Sequence, residues 1–240
     1  TDKTDEINLQ ENLQILRLAF KDNIIAYFAS TQDMIGSLYY YDLNTGNNVK
    51  ILSDYDDFVV GHLFVENNKI IYVLFDTKSS NPKFYIYLYD INTKDTKSIT
   101  EGSNYDYGFA ASGNKIAYSS APFGVCYDKI IIQNIDNGEK IETTPPDIGP
   151  ILDMKDNKIL YSDCSKTNFD GNWKHYHLYD TITGEATPLF YGGENNKEDN
   201  VNSANVVGLY SWLNKGVIGD DVVFISENVN ADTIIAYDQN

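Results

Sequence analysis

The string DNIIAY at Asp22–Tyr27 decides the fold, because it returns four more times along the chain. A polar turn precedes a short apolar run that closes on an aromatic ring. The same arrangement reads NNKIIY at Asn67–Tyr72, GNKIAY at Gly113–Tyr118, DNKILY at Asp156–Tyr161 and GDDVVF at Gly219–Phe224. The closing aromatics fall at 27, 72, 118, 161 and 224. That is a period of roughly 45 residues with one longer final step, in the range of repeat architectures.

A second string follows each copy of the first. It reads LYYYDLNTG at Leu38–Gly46, IYLYDINTK at Ile86–Lys94, IIIQNIDNG at Ile130–Gly138 and YHLYDTITG at Tyr176–Gly184, then IIAYDQN at Ile234–Asn240, where the sequence stops. Two independent strings recurring five times in one order are not explained by chance alignment of apolar runs.

Each repeat reads as four short strands; in the first they are Gln14–Phe20, Ile24–Ala29, Ser37–Leu43 and Asn48–Leu52. Alternation with β-branched and aromatic residues marks the strands, and Asp-Asn, Asn-Asn and Asn-Thr-Gly mark the turns. No window sustains a helical period. Four antiparallel strands per repeat are the sequence signature of a β-propeller blade. The expected fold is therefore all-β, a single five-bladed propeller over 1–240, with blades at 11–54, 58–102, 107–145, 149–190 and 205–240. The fifth lacks an outer strand, and the unassigned piece Glu6-Ile7-Asn8-Leu9 is expected to supply it from within 5–10. Such pairing closes the ring and removes an open sheet edge. A piece cut from a longer propeller is the rival reading.

The run Lys115-Ile116-Ala117-Tyr118-Ser119 and the Tyr-Asp-x-x-Thr-Gly turns at Tyr41–Gly46 and Tyr179–Gly184 resemble TolB-type repeats, within the wider WD-like propellers. The resemblance covers nearly the whole chain. It departs at the turn before the apolar strand, where Lys-Asp-Asn, Glu-Asn-Asn and Ser-Gly-Asn replace the usual Ser-Pro-Asp-Gly. It implies a scaffold that commonly binds proteins or saccharides and only sometimes catalyses; fold likeness alone does not choose.

Charge removes several partners. The 240 residues carry 35 acidic and 18 basic side chains, a net charge of -17. Such a field repels phosphate backbones, and Arg17 is the sole arginine, so nucleic acid is a poor partner. No stretch approaches the roughly 18 apolar residues of a membrane-spanning helix, so membrane insertion is not expected. The sequence begins at Thr1 with no signal-peptide hydrophobic region, which reads as a processed or trimmed chain.

With strands a to d in each blade, antiparallel pairing puts the a–b and c–d turns at one end and the b–c and d–a loops at the other. The a–b and c–d turns are brief. The b–c and d–a loops read as long, reaching an extreme at Tyr191–Asn205, and variable loops on a rigid scaffold are where binding resides. That end is expected to carry Asp54, Tyr55, Asp57, Tyr105, Asp106, Tyr107, Asp170 and Trp173. Tyr and Trp faces stack on sugar rings or anchor protein interfaces. Clustered carboxylates also suit calcium, although no EF-hand string is present and no cofactor is otherwise expected. A solvated acidic rim is the plainer alternative.

Other chemistry is incomplete. A glycosidase needs two carboxylates about 5–9.5 Å apart; Asp153 alone lies within a candidate inner strand, with Asp54 its least unsuitable partner. The fifth inner strand is expected at Tyr210-Ser211-Trp212, and His62 lies on another. His175 and His177 stand two apart on a strand, facing one way as a metal pair would, but without an evident third ligand. Cys126 and Cys164 both fall in b–c loops of adjacent blades, where a disulfide would suit an exported protein. Their unequal distances from the preceding aromatic count against an easy fit. No G-x-S-x-G elbow, phosphate loop or dinucleotide fingerprint occurs. The leading expectation is a non-catalytic, extracellular or surface-displayed binding propeller for protein or glycan. A carbohydrate-active enzyme and an architectural surface-layer component are the alternatives.

Overall fold

The computed structural model describes residues 14–30, 36–55, 58–76, 83–104, 108–120, 127–164, 176–189, 215–218, 222–226 and 234–238. Every regular element among them is a strand. The chain divides into two compact units, Thr1–Gly102 and Ser103–Asn240.

The first unit holds two four-stranded antiparallel sheets. One is β1 (Gln14–Lys21), β2 (Ile24–Ser30), β3 (Gly36–Asp42) and β4 (Asn47–Tyr55); the other is β5 (Phe58–Glu66), β6 (Lys69–Asp76), β7 (Lys83–Asp90) and β8 (Thr96–Asn104). Neighbours in sequence are neighbours in the sheet, so each repeat is one meander. Between the sheets Ile24, Ala26, Phe28, Leu38 and Tyr40 pack against Val60, Leu63, Val65, Ile70, Tyr72 and Leu74. Burying each large side chain there contributes about 1.5–3 kcal/mol.

The second unit repeats the plan. Its sheets are β9 (Phe109–Ser112), β10 (Lys115–Ser120), β11 (Lys129–Asn134) and β12 (Lys140–Thr143), then β13 (Ile148–Lys155), β14 (Lys158–Asp163), β15 (Tyr176–Asp180) and β16 (Ala186–Pro188). A third sheet has three described strands, β17 (Lys215–Ile218), β18 (Val222–Ser226) and β19 (Ile234–Asp238). Ala110, Ala117, Ile130 and Ile132 meet Ile148, Ile151, Met154, Ile159 and Tyr161 in the core between the first two.

Both recurring strings have a physical cause. The aromatic that closes the first string faces the second residue of the other: Tyr27 pairs with Tyr39, Tyr72 with Tyr87, Tyr118 with Ile131 and Tyr161 with His177. The rings stack at 5.1 Å for Tyr27–Tyr39, 5.4 Å for Tyr72–Tyr87 and 5.2 Å for Tyr161–His177. Directly opposed ring pairs of this kind stabilise a sheet. The Asp or Asn of the second string folds the turn after it. Asp42 Oδ1 accepts from Asn44 N–H, Asp90 Oδ1 from Asn92, Asn134 Oδ1 from Asp136, and Asp180 Oδ1 from Ile182, all at 2.8–2.9 Å. The turn ends in a left-handed residue whose N–H bonds back to that Asp or Asn carbonyl: Gly46, Lys94, Gly138 and Gly184. Three are glycine, which enters this region without steric cost; Lys94 enters it at φ 64 with a Cβ.

Two expectations about extent are corrected. β4 runs to Tyr55 and β5 begins at Phe58, so that d–a connection is residues 56–57; with 105–108 and 144–147 also short, the d–a connections are not long loops except at 189–214. Continued pairing out to Gly36–Tyr55 past an irregularity in the ladder accounts for the extension. The described strand preceding β18 is Lys215–Ile218, because Val217 pairs with Phe224; Tyr210–Trp212 lie outside the described residues. So do residues 5–10, the expected closing strand.

Candidate recognition face

The two ends of the sheets differ in the length of the connections they carry. At the a–b and c–d end the turns are tight, at 22–23, 67–68, 113–114 and 156–157, and at 43–46, 91–95, 135–139 and 181–185. Their polar atoms are used internally. Besides the Asp and Asn turns, bonds run from one sheet to the same position in the next. Lys21 Nζ meets Glu66 Oε2 at 2.6 Å, Asp156 N–H donates to Ser112 Oγ at 3.1 Å, and Lys115 Nζ donates to Asn157 Oδ1 at 3.2 Å. These partners are 45, 44 and 42 residues apart, so the first repeat is tied to the second and the third to the fourth.

The b–c connections leave from the opposite end and are longer: 31–35, 77–82, 121–128, 164–175 and 227–233. The d–a connections share that end: 56–57, 105–108, 144–147 and 189–214. Of the predicted recognition residues, Asp54 and Tyr55 sit at the end of β4, where Tyr55 pairs with Gly36. Asp57, Tyr105, Asp106, Tyr107, Asp170 and Trp173 belong to these connections and lie outside the described residues.

The remaining candidates separate. Asp153 is half-buried on β13 opposite Leu160, beside an irregularity that shifts the register between Ile151 and Asp153. Glu66 is the other acid on the described first strands with a described side chain, and it is committed to Lys21. His177 is 7% exposed and occupies the ring slot that Tyr39 and Tyr87 fill in other sheets. Its position in the second string carried that signal. His175 lies outside the described residues. Among the described residues no three His, Cys, Asp or Glu side chains are grouped to hold a metal ion.

One feature escaped sequence reading. Arg17 Nε donates to Gly61 O at 3.1 Å, tying β1 to β5 where the β5 register shifts between Val60 and His62. His62 stands between the rings of Phe64 and Phe75, at 6.3 and 6.4 Å. Burial, reinforced by the Arg17 charge, pushes its pKa down to about 4. The imidazole is neutral at pH 7 and acts as a packing group.

No family model matches the sequence, and no curated protein matches it. Solved structures do resemble it. TolB from Acinetobacter baumannii aligns at TM-score 0.51 and 19% identity, over 77% of this chain and 45% of that one. The β-propeller domain of the Trilobed protease from Pyrococcus furiosus aligns at 0.62 and 12%, over 96% of this chain and 70% of that one. An acylaminoacyl peptidase from Pyrococcus horikoshii aligns at 0.55 and 11%, over 89% and 42%. The chain thus spans under half of TolB and of the peptidase. With the repeated four-stranded meanders, these likenesses establish a TolB-like β-propeller fold.

Proposed function

We propose that the five sheets are blades of one closed propeller over 1–240, and that this propeller is a non-catalytic recognition module. It is exported or displayed at the cell surface and binds a protein or glycan through its b–c and d–a end. The observation that carries the reading is the contrast between the ends. One end holds the tight turns and the sheet-to-sheet ties, while the longer connections, 121–128, 164–175, 227–233 and 189–214, all belong to the other and carry Asp, Glu, Tyr and Trp. The TolB-like fold supports a binding role.

Support for closure comes from Leu18 and Phe20. They share with Tyr27 the face of the first sheet turned away from the second, and are 61% and 60% exposed. The equivalent Leu63 and Val65 of the second sheet are 9% and 6% exposed, buried against the first. Ile151 and Met154 of the fourth sheet, both 3% exposed, are buried against the third. A position that later sheets bury against a preceding one calls for a preceding sheet here as well. The fifth blade, completed by residues 5–10, supplies it.

The test is binding to a glycan array and to proteins of the extracellular milieu. Tyr105→Ala/Tyr107→Ala/Trp173→Ala is expected to abolish binding with the strand signal in circular dichroism intact. A change confined to the c–d turns, such as Asn44→Ala/Asn92→Ala, is expected to leave binding in place. The opposite pattern refutes the assignment.

A further inference from the structure

We infer that Cys126 and Cys164 form an intramolecular disulfide that staples the β10–β11 connection to the end of β14. Cys164 is disulfide-bonded and 1% exposed. Cys126 is the only other cysteine in the sequence and lies outside the described residues.

Backbone geometry supports the pairing without reference to the sulfurs. Tyr127 N–H donates to Ile148 O at 2.9 Å, and Cys164 N–H donates to Asp147 O at 3.0 Å. Both chain positions therefore dock on consecutive carbonyls at the start of β13. Cys126 is one peptide from Tyr127, a Cα step of about 3.8 Å.

The unequal spacing from the preceding aromatics also finds its cause. Cys164 directly follows the end of β14 at Asp163, whereas Cys126 lies at the far end of its connection, next to the residue that returns to β13. Counting from Tyr118 measured the length of that connection and not the distance to be bridged.

In forming the bond each thiol gives up one proton and one electron. The electron pair passes by thiol–disulfide exchange to a disulfide oxidant, an oxidised dithiol protein or glutathione disulfide, which leaves as two thiols. Such bonds persist in oxidising compartments. The burial of Cys164 shields the bond from soluble reductant, and the cross-link between 126 and 164 restricts the unfolded chain. This inference stands apart from what the loops bind.

The test uses the full chain, folded in a glutathione disulfide buffer. It is denatured with an alkylating reagent and no reductant, so that buried thiols are reached, and then digested. The expected result is no adduct and a linked Cys126–Cys164 peptide, with adducts on both cysteines only after reduction. Reduction is also expected to lower the unfolding midpoint of the native chain but not that of Cys126→Ser/Cys164→Ser. Alkylation of either cysteine without reductant, a reductant-sensitive dimer, or an unchanged midpoint on reduction overturns the proposal.

Discussion

Leu18 and Leu63 occupy one position in consecutive repeats, which makes them a matched pair for testing closure. Each stands opposite the string-closing tyrosine, Leu18 across from Tyr27 and Leu63 across from Tyr72. Leu63 is 9% exposed within the core between the first two sheets, and Leu18 is 61% exposed on the outer face of the first. Truncating a buried leucine to alanine costs about 2–5 kcal/mol, through lost transfer energy and the cavity left behind. Leu63→Ala is therefore expected to lower stability by about 3 kcal/mol. Truncating a largely exposed leucine costs roughly 0.5 kcal/mol. In a closed ring the Leu18 face is covered, and Leu18→Ala is expected to cost about as much as Leu63→Ala. The assay is urea unfolding followed by tyrosine fluorescence and circular dichroism, with midpoints compared at constant slope. A Leu18→Ala loss below about 1 kcal/mol beside a full Leu63→Ala loss refutes closure. A small loss at Leu63 refutes the core assignment itself.

Three further changes follow from local geometry. His62 falls from an ordinary 6.5 to about 4 on folding, so the folded state resists its protonation. Stability from the neutral imidazole is full above pH 6.5, declines as pH falls, and is lost below 4; the loss is about 2 kcal/mol by pH 5. The native chain should therefore lose more stability between pH 7 and 5 than His62→Gln does, and equal pH dependence contradicts it. Lys94 holds the left-handed slot that glycine fills in three equivalent turns, so Lys94→Gly should raise stability by about 0.5–1 kcal/mol; a loss contradicts the turn reading. His177→Tyr restores the ring found in two other sheets. It should change the urea midpoint by less than about 1 kcal/mol, whereas a fold that collapses without the imidazole contradicts the packing role.

The repeat was legible because its signals are local. The tyrosines at 27, 72 and 161 mark opposed ring pairs and the Asp or Asn at 42, 90, 134 and 180 mark hydrogen-bonded turns, both set by residues nearby in sequence. First strands were harder to place. β1, β5 and β13 each carry a register irregularity that breaks the alternation, and β17 is only Lys-Gly-Val-Ile. The end of β4 was underestimated because Tyr55 is held by pairing with Gly36 and not by an apolar pattern. Arg17 gave no motif, since its partner is the carbonyl of Gly61 in another sheet. For the recognition end, the sequence supplies residue types and the topology supplies the end of the sheets to which their connections belong. His177 fills the ring slot that Tyr39 and Tyr87 fill in other sheets, a likeness visible only when the repeats are aligned.

Recognition of a partner by one end of the sheets is tested by hydrogen exchange on the full chain with and without a captured protein or glycan. Added protection is expected in the connections 105–108, 164–175 and 189–214, with the turns 43–46, 91–95, 135–139 and 181–185 unchanged. Protection gathered on those turns, with the connections unchanged, contradicts it.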